Sequence, residues 1–170
     1  VDDDILVGQT KNISVEFEHQ ITLSAWIKAV STRTQEFTII RKGTAKKYDW
    51  GLQLLQSNVI DFGMFIEDTQ TSTSIVPPPS RPSEIADKWA HVMAVRDSTN
   101  MYVYLNGRKI GQKPISGKMT NRSHSFNIGS IDSRGLHFAK GQIDDVRIYN
   151  RALSEEEAKA LYDLEKPKEK

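Results

Sequence analysis

Residues 141–153, GQIDDVRIYNRAL, are the stretch of this sequence that decides its fold. After Gly141 the side chains follow a period of two, which predicts a β-strand with two unlike faces. Alternation would place Asp145 and Arg147 on one face and Asp144 on the other. Two aspartates in mid-strand are unusual because Asp is depleted in strands, so this strand needs an explanation beyond packing.

The residues that follow, SEEEAKALY from Ser154 onward, predict a helix that closes the chain. Ser154 and Glu157 have the Ser-x-x-Glu spacing of a capping box, in which each side chain bonds the backbone amide of the other residue. Ala158 and Leu161 then fall on one stripe. The helix over 154–164 should therefore lie against the rest of the domain.

Strand-like runs separated by turn signals recur along the rest of the chain, which predicts a sandwich or a barrel. Asn106-Gly107 is the strongest hairpin signal, because this dipeptide accepts the positive φ angles of a type I′ turn. It should join a strand over 101–105 to one over 108–112. The other predicted strands are residues 4–7, 12–17, 21–30, 37–41, 48–55, 59–66, 73–76, 89–96, 126–131 and 136–148.

Composition limits the class of function. The 170 residues fit one domain, and a formal charge of +1 gives no electrostatic case for nucleic acid or an anionic membrane. Cys is absent from the sequence, which excludes disulfides and thiolate metal sites. No apolar run approaches the roughly 18 residues of a membrane span, so no membrane insertion is expected. The chain begins at Val1 without Met, and we expect a mature or excised segment of a larger protein.

Several segments together resemble a known family. They are ITLSAWIKA at 21–29, WAHVMAVRD at 89–97, YVYLNGRKI at 102–110 and GQIDDVRIYNRALSEEEAKALY at 141–162. In this order and spacing they resemble the laminin G-like, concanavalin A-like jelly-roll domains of bacterial and extracellular proteins. The resemblance implies an all-β fold, a two-sheet antiparallel jelly-roll sandwich with six or seven strands per sheet and one short C-terminal helix.

The resemblance also implies where the domain lies in the chain and in which setting it works. A laminin G-like jelly-roll domain would span residues 1–165, in an extracellular or cell-surface protein that has other domains. Residues 166–170, KPKEK, are charged and contain a Pro, which is typical of a linker tail. A fold of this kind serves many functions, so the function depends on the residues of the site.

The sequence predicts that the protein is not an enzyme. The glucanases of the resembled fold carry their two catalytic carboxylates on one strand, and the chemistry needs both on the same face. Glu16 and Glu18 share a face, but the residues around them do not match that motif. The sequence also lacks the G-x-S-x-G, H-E-x-x-H and phosphate-loop motifs.

A structural calcium ion is the one cofactor that we predict, on the basis of the resemblance. Concanavalin-like glucanases hold calcium between the N-terminal segment and an Asp of the last strand. The matching position is Asp144, and Asp2 and Asp3 would lie near it if the termini pair, so Asp144 and Asp3 are the predicted metal ligands. Calcium prefers several carboxylate and carbonyl oxygens, and an Asp inside a closing strand needs compensation. The alternative is that Asp144 or Asp145 pairs with Arg147 or Arg151, or caps a turn.

Carbohydrate is the ligand class that the resemblance favours. Sugars stack on aromatic faces, and their hydroxyl groups bond to Asn, Asp, Arg and Gln. Tyr48 and Trp50 flank Asp49 next to the small Gly51, and Arg134 lies in a predicted loop. All of these except Gly51 form the predicted ligand-binding site, with Tyr48 or Trp50 as the stacking platform, although Trp50 could equally be a core residue.

Three other large side chains are predicted to be structural. Trp26 and Trp89 fall in the clearest alternating strands, where large aromatic residues dominate sandwich cores. His91 lies between Ala90 and Val92 and is expected to be a hydrogen-bonded core or edge histidine.

A basic cluster surrounds the beginning of the predicted ligand site. Arg41, Lys42, Lys46 and Lys47 lie at one predicted strand end. The plain interpretation is a solvated edge that opposes aggregation. The sharper interpretation is a site for an acidic ligand.

The sequence therefore predicts a non-catalytic binding module, most simply a lectin-like carbohydrate-binding one, within a larger extracellular protein. Its partner would be a glycan or a surface protein. The alternative is a protein-contact or spacer domain in an adhesive or enzyme-bearing chain, without a sugar site. An exposed row of aromatic residues on the concave face would favour the first function, and a face of Ser, Thr and Lys the second.

Overall fold

A computed structural model describes residues 18–31, 35–43, 48–77, 82–120, 122, 124, 126–131 and 139–166. The strands are β1 (Ile21–Ala29), β2 (Phe37–Gly43), β3 (Tyr48–Leu54), β4 (Ile60–Ile66), β5 (Thr71–Ile75), β6 (Ala90–Arg96), β7 (Asn100–Leu105), β8 (Arg108–Pro114), β9 (Phe126–Ile128) and β10 (Gly141–Tyr149). The helices are α1 (Pro82–Ile85), α2 (Glu155–Glu165) and a 3₁₀ turn (Gln56–Asn58). The predicted strands at 4–7 and 12–17 lie outside the described residues.

The strands form two antiparallel sheets, as the jelly-roll prediction requires. The first sheet has the order β10-β1-β6-β7-β8 and the second the order β5-β4-β3-β2-β9. Five strands are described in each, against the six or seven per sheet that the resemblance implied. The fold class is confirmed as an all-β sandwich with a C-terminal helix, to which the short helix α1 in the Pro-rich loop is an addition.

The core lies between the sheets and is built from the apolar side of each alternating strand. It contains Leu23 and Ile27 of the first sheet and Leu52 and Phe62 of the second, all without solvent exposure. Burying a side chain of this size contributes about 1.5–3 kcal/mol to the free energy of folding. This packing fixes which face of each sheet is turned away from the core.

The Asn106-Gly107 hairpin is confirmed. Both residues have positive φ, 50° and 72°, as a type I′ turn requires. Leu105 pairs with Arg108 across the turn. The ring of Tyr162 in α2 lies against Gly107, where a Cβ atom would stand 3.1 Å from it, so the turn is also part of the seat of the helix.

Helix α2 closes the outer face of the first sheet. The Ser154 hydroxyl accepts from the Glu157 amide at 3.2 Å, and the Ser154 amide donates to the Glu157 carboxylate at 2.8 Å, so the predicted capping box is confirmed. Ala158 is fully buried in a second apolar cluster with Met93 and Leu153, and Leu161 packs against it half-buried. No helix among the described residues combines the length and apolar character needed to cross a membrane.

A β-bulge in β10 makes the predicted alternation wrong. Asp145 has a φ of 48°, and the register with β1 shifts between Ser24 and Trp26. One extra residue in a bulge reverses the parity of the strand beyond it. Ile143 and Val146 therefore both pack on the core, although they are three residues apart.

The three structural predictions have different outcomes. Trp26 is buried, but under α2, where its ring stacks on Tyr162 at 5.7 Å and its Nε1 donates to Glu165 at 3.0 Å. His91 is buried beside it and bonds to the Ser24 hydroxyl at 2.8 Å, as expected. Trp89 is 37% exposed, so its assignment to the core was wrong. It precedes the first residue of β6 and lies beyond the end of the sheet.

Candidate functional site

The face of the second sheet that is turned away from the core carries an unusual set of polar residues, which we call the polar face. Its centre is a row across five strands in which hydrogen-bonded neighbours are paired in register. The row consists of Ser74, Gly63, Gly51, Arg41 and Asn127. A second row, two residues away, consists of Asp61, Gln53 and Thr38.

Two glycines give the polar face its shape. Gly51 and Gly63 are paired, and a Cβ atom on Gly63 would stand 3.1 Å from the Tyr48 hydroxyl. A Cβ atom on Gly51 would stand 3.3 Å from Cγ of Arg41. The absence of side chains at both positions lets Tyr48 and Arg41 lie flat on the sheet. The Arg41 guanidinium then lies 4.4 Å from the centre of the Tyr48 ring, in a cation–π contact.

Several buried polar atoms of this face have no hydrogen-bond partner. They are Oγ1 of Thr38, Nε of Arg41, Oδ1 of Asp61 and Oδ1 of Asn127. Native proteins pair nearly all such atoms, because an unpaired one costs about 1–3 kcal/mol. Their concentration on one face of one sheet is a feature that buried ordered water would satisfy, or a ligand that displaces the groups covering them.

Burial also alters the ionisation of this face. It raises the pKa of Asp61, against hydrogen bonds from Gln53 and Ser74 and the nearby charge of Arg41, which lower it. Gln53 donates to Oδ2 of Asp61 at 2.9 Å. Burial likewise lowers the pKa of Arg41 and raises the pKa of Tyr48. Each shift has desolvation of the charged form as its main cause.

Asp49 is fully buried and anchors a cationic group at one end of the sheet. Its Oδ2 accepts from the Arg122 amide at 2.9 Å and lies 3.4 Å from Nζ of Lys42. Its Oδ1 lies 3.7 Å from Nη1 of Arg122 and 3.5 Å from Nδ1 of His124. The carboxylate is therefore engaged inside the protein, and its effect is to position Arg122.

Arg122 reaches the polar face from this anchor. Its guanidinium lies 4.6 Å from the centre of the Phe65 ring, and Phe65 follows Gly63 by two residues on β4. The Arg122 side chain remains 36% exposed. Two arginines, each stacked on an aromatic ring, thus flank the glycine pair.

Comparison with known proteins agrees with this architecture. The family model described as the concanavalin A-like lectin/glucanases superfamily matches residues 5–159. The chain belongs to this superfamily. Among curated proteins, none matches the sequence.

Several solved structures that share this fold are described as binding domains. The binding domain of botulinum neurotoxin serotype G has a TM-score of 0.71 at 18% identity, over 92% of this chain and 39% of that chain. The serotype D binding domain has a TM-score of 0.71 at 20% identity, over 97% and 41%. The binding domain of Paraclostridial Mosquitocidal Protein 1 has a TM-score of 0.67 at 19% identity, over 96% and 45%. This chain thus spans about two fifths of each, and the match shows the fold.

The residues that the sequence predicted to bind a ligand do not lie together in the structure. Tyr48 lies on the polar face, and Asp49 lies buried behind it. Trp50 is 1% exposed and packs on Phe126 with ring centres 5.4 Å apart, so its ring has no free face and its prediction as a stacking platform was wrong. Arg134 lies outside the described residues.

The basic cluster also differs from its plain interpretation. Arg41 and Lys42 are 7% and 5% exposed, so they do not form a solvated edge. Lys46 and Lys47 lie outside the described residues. Asp61 and Arg122 escaped the sequence analysis, because sheet pairing and a long-range contact with Asp49, rather than a local motif, bring them to the site.

The predicted calcium site has only one of its two carboxylates in the described part of the chain. Asp144 is exposed, and its Oδ1 accepts from the Asp145 amide at 2.8 Å. Asp145 lies 3.6 Å from Nη2 of Arg147. The described residues hold no group of three carboxylates or histidines suited to a metal ion. Asp3 lies outside them, so the fit of a calcium ion depends on the N-terminal segment.

The structure contradicts two arguments for the calcium prediction, one about the burial of Asp144 and one about its face of the strand. Asp144 is not buried, so it needs no compensating charge. The bulge also places Asp144 and Arg147 on the same outer face, opposite Trp26 and Ser24 of β1. Of the alternatives, the pair with Arg147 forms at Asp145, while the Asp144 carboxylate accepts from the Asp145 amide within the bulge.

Proposed function

We propose that this protein is a non-catalytic, carbohydrate-binding module that holds its ligand on the polar face and acts in an extracellular or cell-surface setting. The observation that supports this function is the group of unpaired buried atoms around the Gly51–Gly63 pair. The superfamily includes lectins by its description, and the solved neighbours are binding domains by theirs.

The unpaired atoms match the chemistry of a sugar. Oδ1 of Asp61 and Oδ1 of Asn127 are buried acceptors, and sugar hydroxyl groups would donate to them once the groups that cover them move aside. Nε of Arg41 is a donor for a hydroxyl or ring oxygen. Arg41 and Asn127 are paired on the adjacent strands β2 and β9, whereas Asp61 lies on β4, so a ligand would have to span three strand spacings, about 14 Å, to contact all three.

The described part of the polar face supports binding rather than hydrolysis. Retaining and inverting glycosidases need two carboxyl groups flanking the scissile bond. On this face the described residues supply one, Asp61, because Asp49 points into the ion pairs at the sheet end. Glu18, from the weak carboxylate pair of the sequence, is exposed and forms an ion pair with Lys118 at 3.3 Å.

A glycan array probed with the isolated domain, with and without a chelator, tests this function. Hits should be followed by titration calorimetry of Asp61→Asn and Asn127→Ala, which we expect to weaken binding more than tenfold with the fold intact. The matched control is Gln112→Ala on β8 of the other sheet, whose side chain bonds to Asn100. The proposal would be contradicted if Asp61→Asn and Asn127→Ala kept full binding while Gln112→Ala lost it. If the array gave no hit at all, a protein-contact or spacer domain would be favoured.

A further inference from the structure

We infer that Asn106 is a site of spontaneous deamidation that helix α2 controls. While α2 is docked, the side chain of Asn106 is held away from reaction, and when α2 leaves the sheet the reaction proceeds. The isoaspartate that forms keeps α2 from docking again. The inference stands on the turn that joins β7 to β8, on the ring packed over that turn and on the shallow packing of the helix.

The side chain of Asn106 is part of the hydrogen-bond ladder of the first sheet. The Asn106 amide donates to the His91 carbonyl at 2.8 Å, and Oδ1 of Asn106 accepts from the His91 amide at 2.9 Å. The carboxamide thus takes the place of a backbone carbonyl at the end of β6. These two bonds hold the side chain towards β6, so Cγ of Asn106 is not free to turn towards the next peptide nitrogen.

Gly107 supplies that nitrogen, and it is covered in the folded domain. Glycine has no Cβ atom to shield its nitrogen, so an asparagine that precedes glycine reacts fastest. Gly107 is buried, and a Cβ atom on it would stand 3.1 Å from Tyr162. Tyr162 is itself held by stacking on Trp26, with ring centres 5.7 Å apart. The turn therefore keeps its backbone angles as long as Tyr162 is in place.

The reaction balances with water as its one co-reactant. The backbone nitrogen of Gly107 attacks Cγ of Asn106 and loses its proton, a C–N bond forms, and the side-chain nitrogen leaves as ammonia. The product is a five-membered succinimide. Water then opens the ring at either carbonyl, which gives aspartate, or isoaspartate in which the main chain runs through Cγ. Nothing is oxidised or reduced.

Helix α2 can leave the sheet without opening the sandwich. Ala158 is the one residue of this fully described helix that is buried, Leu161 is half-buried, and Leu164 is 82% exposed. Among the described residues, the core between the sheets contains none from α2. Segments with few buried apolar contacts open at a lower free energy than the whole domain. Undocking of α2 would remove Tyr162 from Gly107 and admit water to the turn.

Isoaspartate at position 106 does not fit beneath the docked helix. It inserts one additional backbone carbon into a two-residue turn whose flanking residues, Leu105 and Arg108, are paired. It also moves the oxygen that accepts from the His91 amide out of the side chain and into the main chain. The clearance of 3.1 Å under Tyr162 leaves no space for a longer turn. Deamidation thus makes a reversible opening of α2 permanent.

Peptide mapping by mass spectrometry, on the folded domain incubated at mildly alkaline pH, measures the rate of the reaction. The wild-type domain should deamidate at position 106 at least about tenfold more slowly than the free peptide YVYLNGRKI, residues 102–110. Leu161→Ala should raise the rate in the domain about tenfold, because it weakens the packing of α2. Leu164→Ala, at an exposed position of the same helix, is the matched control and should leave the rate unchanged.

The results separate control by the helix from the effect of the product. A wild-type rate equal to that of the peptide, or an unchanged rate in Leu161→Ala, would overturn control by α2. If Leu161→Ala does not fold, Ser154→Ala replaces it, and an increase of about fivefold is expected from loss of the cap. Hydrogen exchange of the purified isoaspartate form should show lost protection across residues 155–165. Full protection there would overturn the claim that the product keeps α2 from docking.

Discussion

A single glycine, Gly63, gives Tyr48 the space to lie over the polar face. The Tyr48 hydroxyl stands 3.1 Å from the position of a Cβ atom there, so a branched side chain would displace the ring and loosen its stack with Arg41. We expect Gly63→Val to weaken glycan binding about tenfold, equal to about 1.4 kcal/mol. Gln112→Val, at an exposed position of β8 in the other sheet, is the control. Unchanged affinity in Gly63→Val would exclude Tyr48 from the site.

Trp50 and Trp89 provide a matched pair for testing which aromatic residue is structural. Trp50→Ala should lower the free energy of unfolding by about 3–5 kcal/mol, because it leaves a cavity in a packed core. Trp89→Ala should change it by less than about 1 kcal/mol, because that ring is partly exposed. Urea denaturation measures both. A smaller loss for Trp50 than for Trp89 would reverse their assignments.

Residue types predicted part of the candidate site. Tyr48 and Asp49 were singled out because an aromatic and a carboxylate next to Gly51 have the chemistry of a sugar site, but only Tyr48 lies on the polar face, and Asp49 is buried behind it. Trp50 was placed wrongly as a platform, because it alternates with Leu52 and Leu54 on the core side of β3, whereas the register shift between Lys42 and Gly43 separates Tyr48 from that side. A local pattern cannot show a register shift of this kind.

At the scale of elements, α2 is held by its cap and by its apolar stripe, and the two can be tested separately. Ser154→Ala removes the capping hydroxyl and should cost about 1 kcal/mol. Leu161→Ala should cost about 1–2 kcal/mol, less than for a fully buried leucine, because Leu161 is half-buried. Leu164→Ala on the same helix is the control, since Leu164 is 82% exposed. Equal unfolding midpoints for all three variants would mean that the helix does not stabilise the domain.

The elements themselves were largely predictable from local signals. The hairpin at Asn106-Gly107 and the cap at Ser154 depend on backbone angles and hydrogen bonds within a few residues, so the dipeptide and the capping box were sufficient. The bulge at Asp145 was not predicted, because any strand that begins after a glycine and alternates looks regular in sequence. The two adjacent aspartates were its one visible sign.

At the scale of the whole molecule, calcium would link the last strand to the N-terminal segment if Asp144 and Asp3 bind it. We retain this as a proposal. A calcium ion bound to the folded state alone would raise its stability by about 2.7 kcal/mol at a hundredfold excess over Kd. Thermal melting in EDTA and in millimolar calcium measures this, with Asp144→Ala expected to lose the response and Asp163→Asn in α2 expected to keep it. A wild-type melting point that ignores calcium would exclude the ion.

The stability of the whole domain should also depend on His91, which lies between β6 and α2. Burial, together with a smaller effect of the Arg147 charge, lowers the pKa of His91 to about 4. Glu165 lies 3.9 Å from Nε2 but already accepts from Trp26 and pairs with Arg147, so it does little to favour the protonated ring. Tyr162 and Ser24, the other polar groups around the ring, carry no charge at these pH values.

The sign of the effect follows from these pKa values. Above the unfolded pKa of 6.5 the ring is neutral in both states, so the free energy of unfolding is at its plateau. As the pH falls from 6.5 towards 4, the unfolded chain takes up a proton that the folded domain excludes, and stability drops by up to about 3 kcal/mol. Urea denaturation across this range should show the drop in the wild-type domain and a smaller one in His91→Gln, which has no titratable ring. If the free energy of unfolding fell equally with pH in both proteins, His91 would take up a proton as readily in the folded domain as in the unfolded chain. Helix α2 would then not keep the His91 ring neutral.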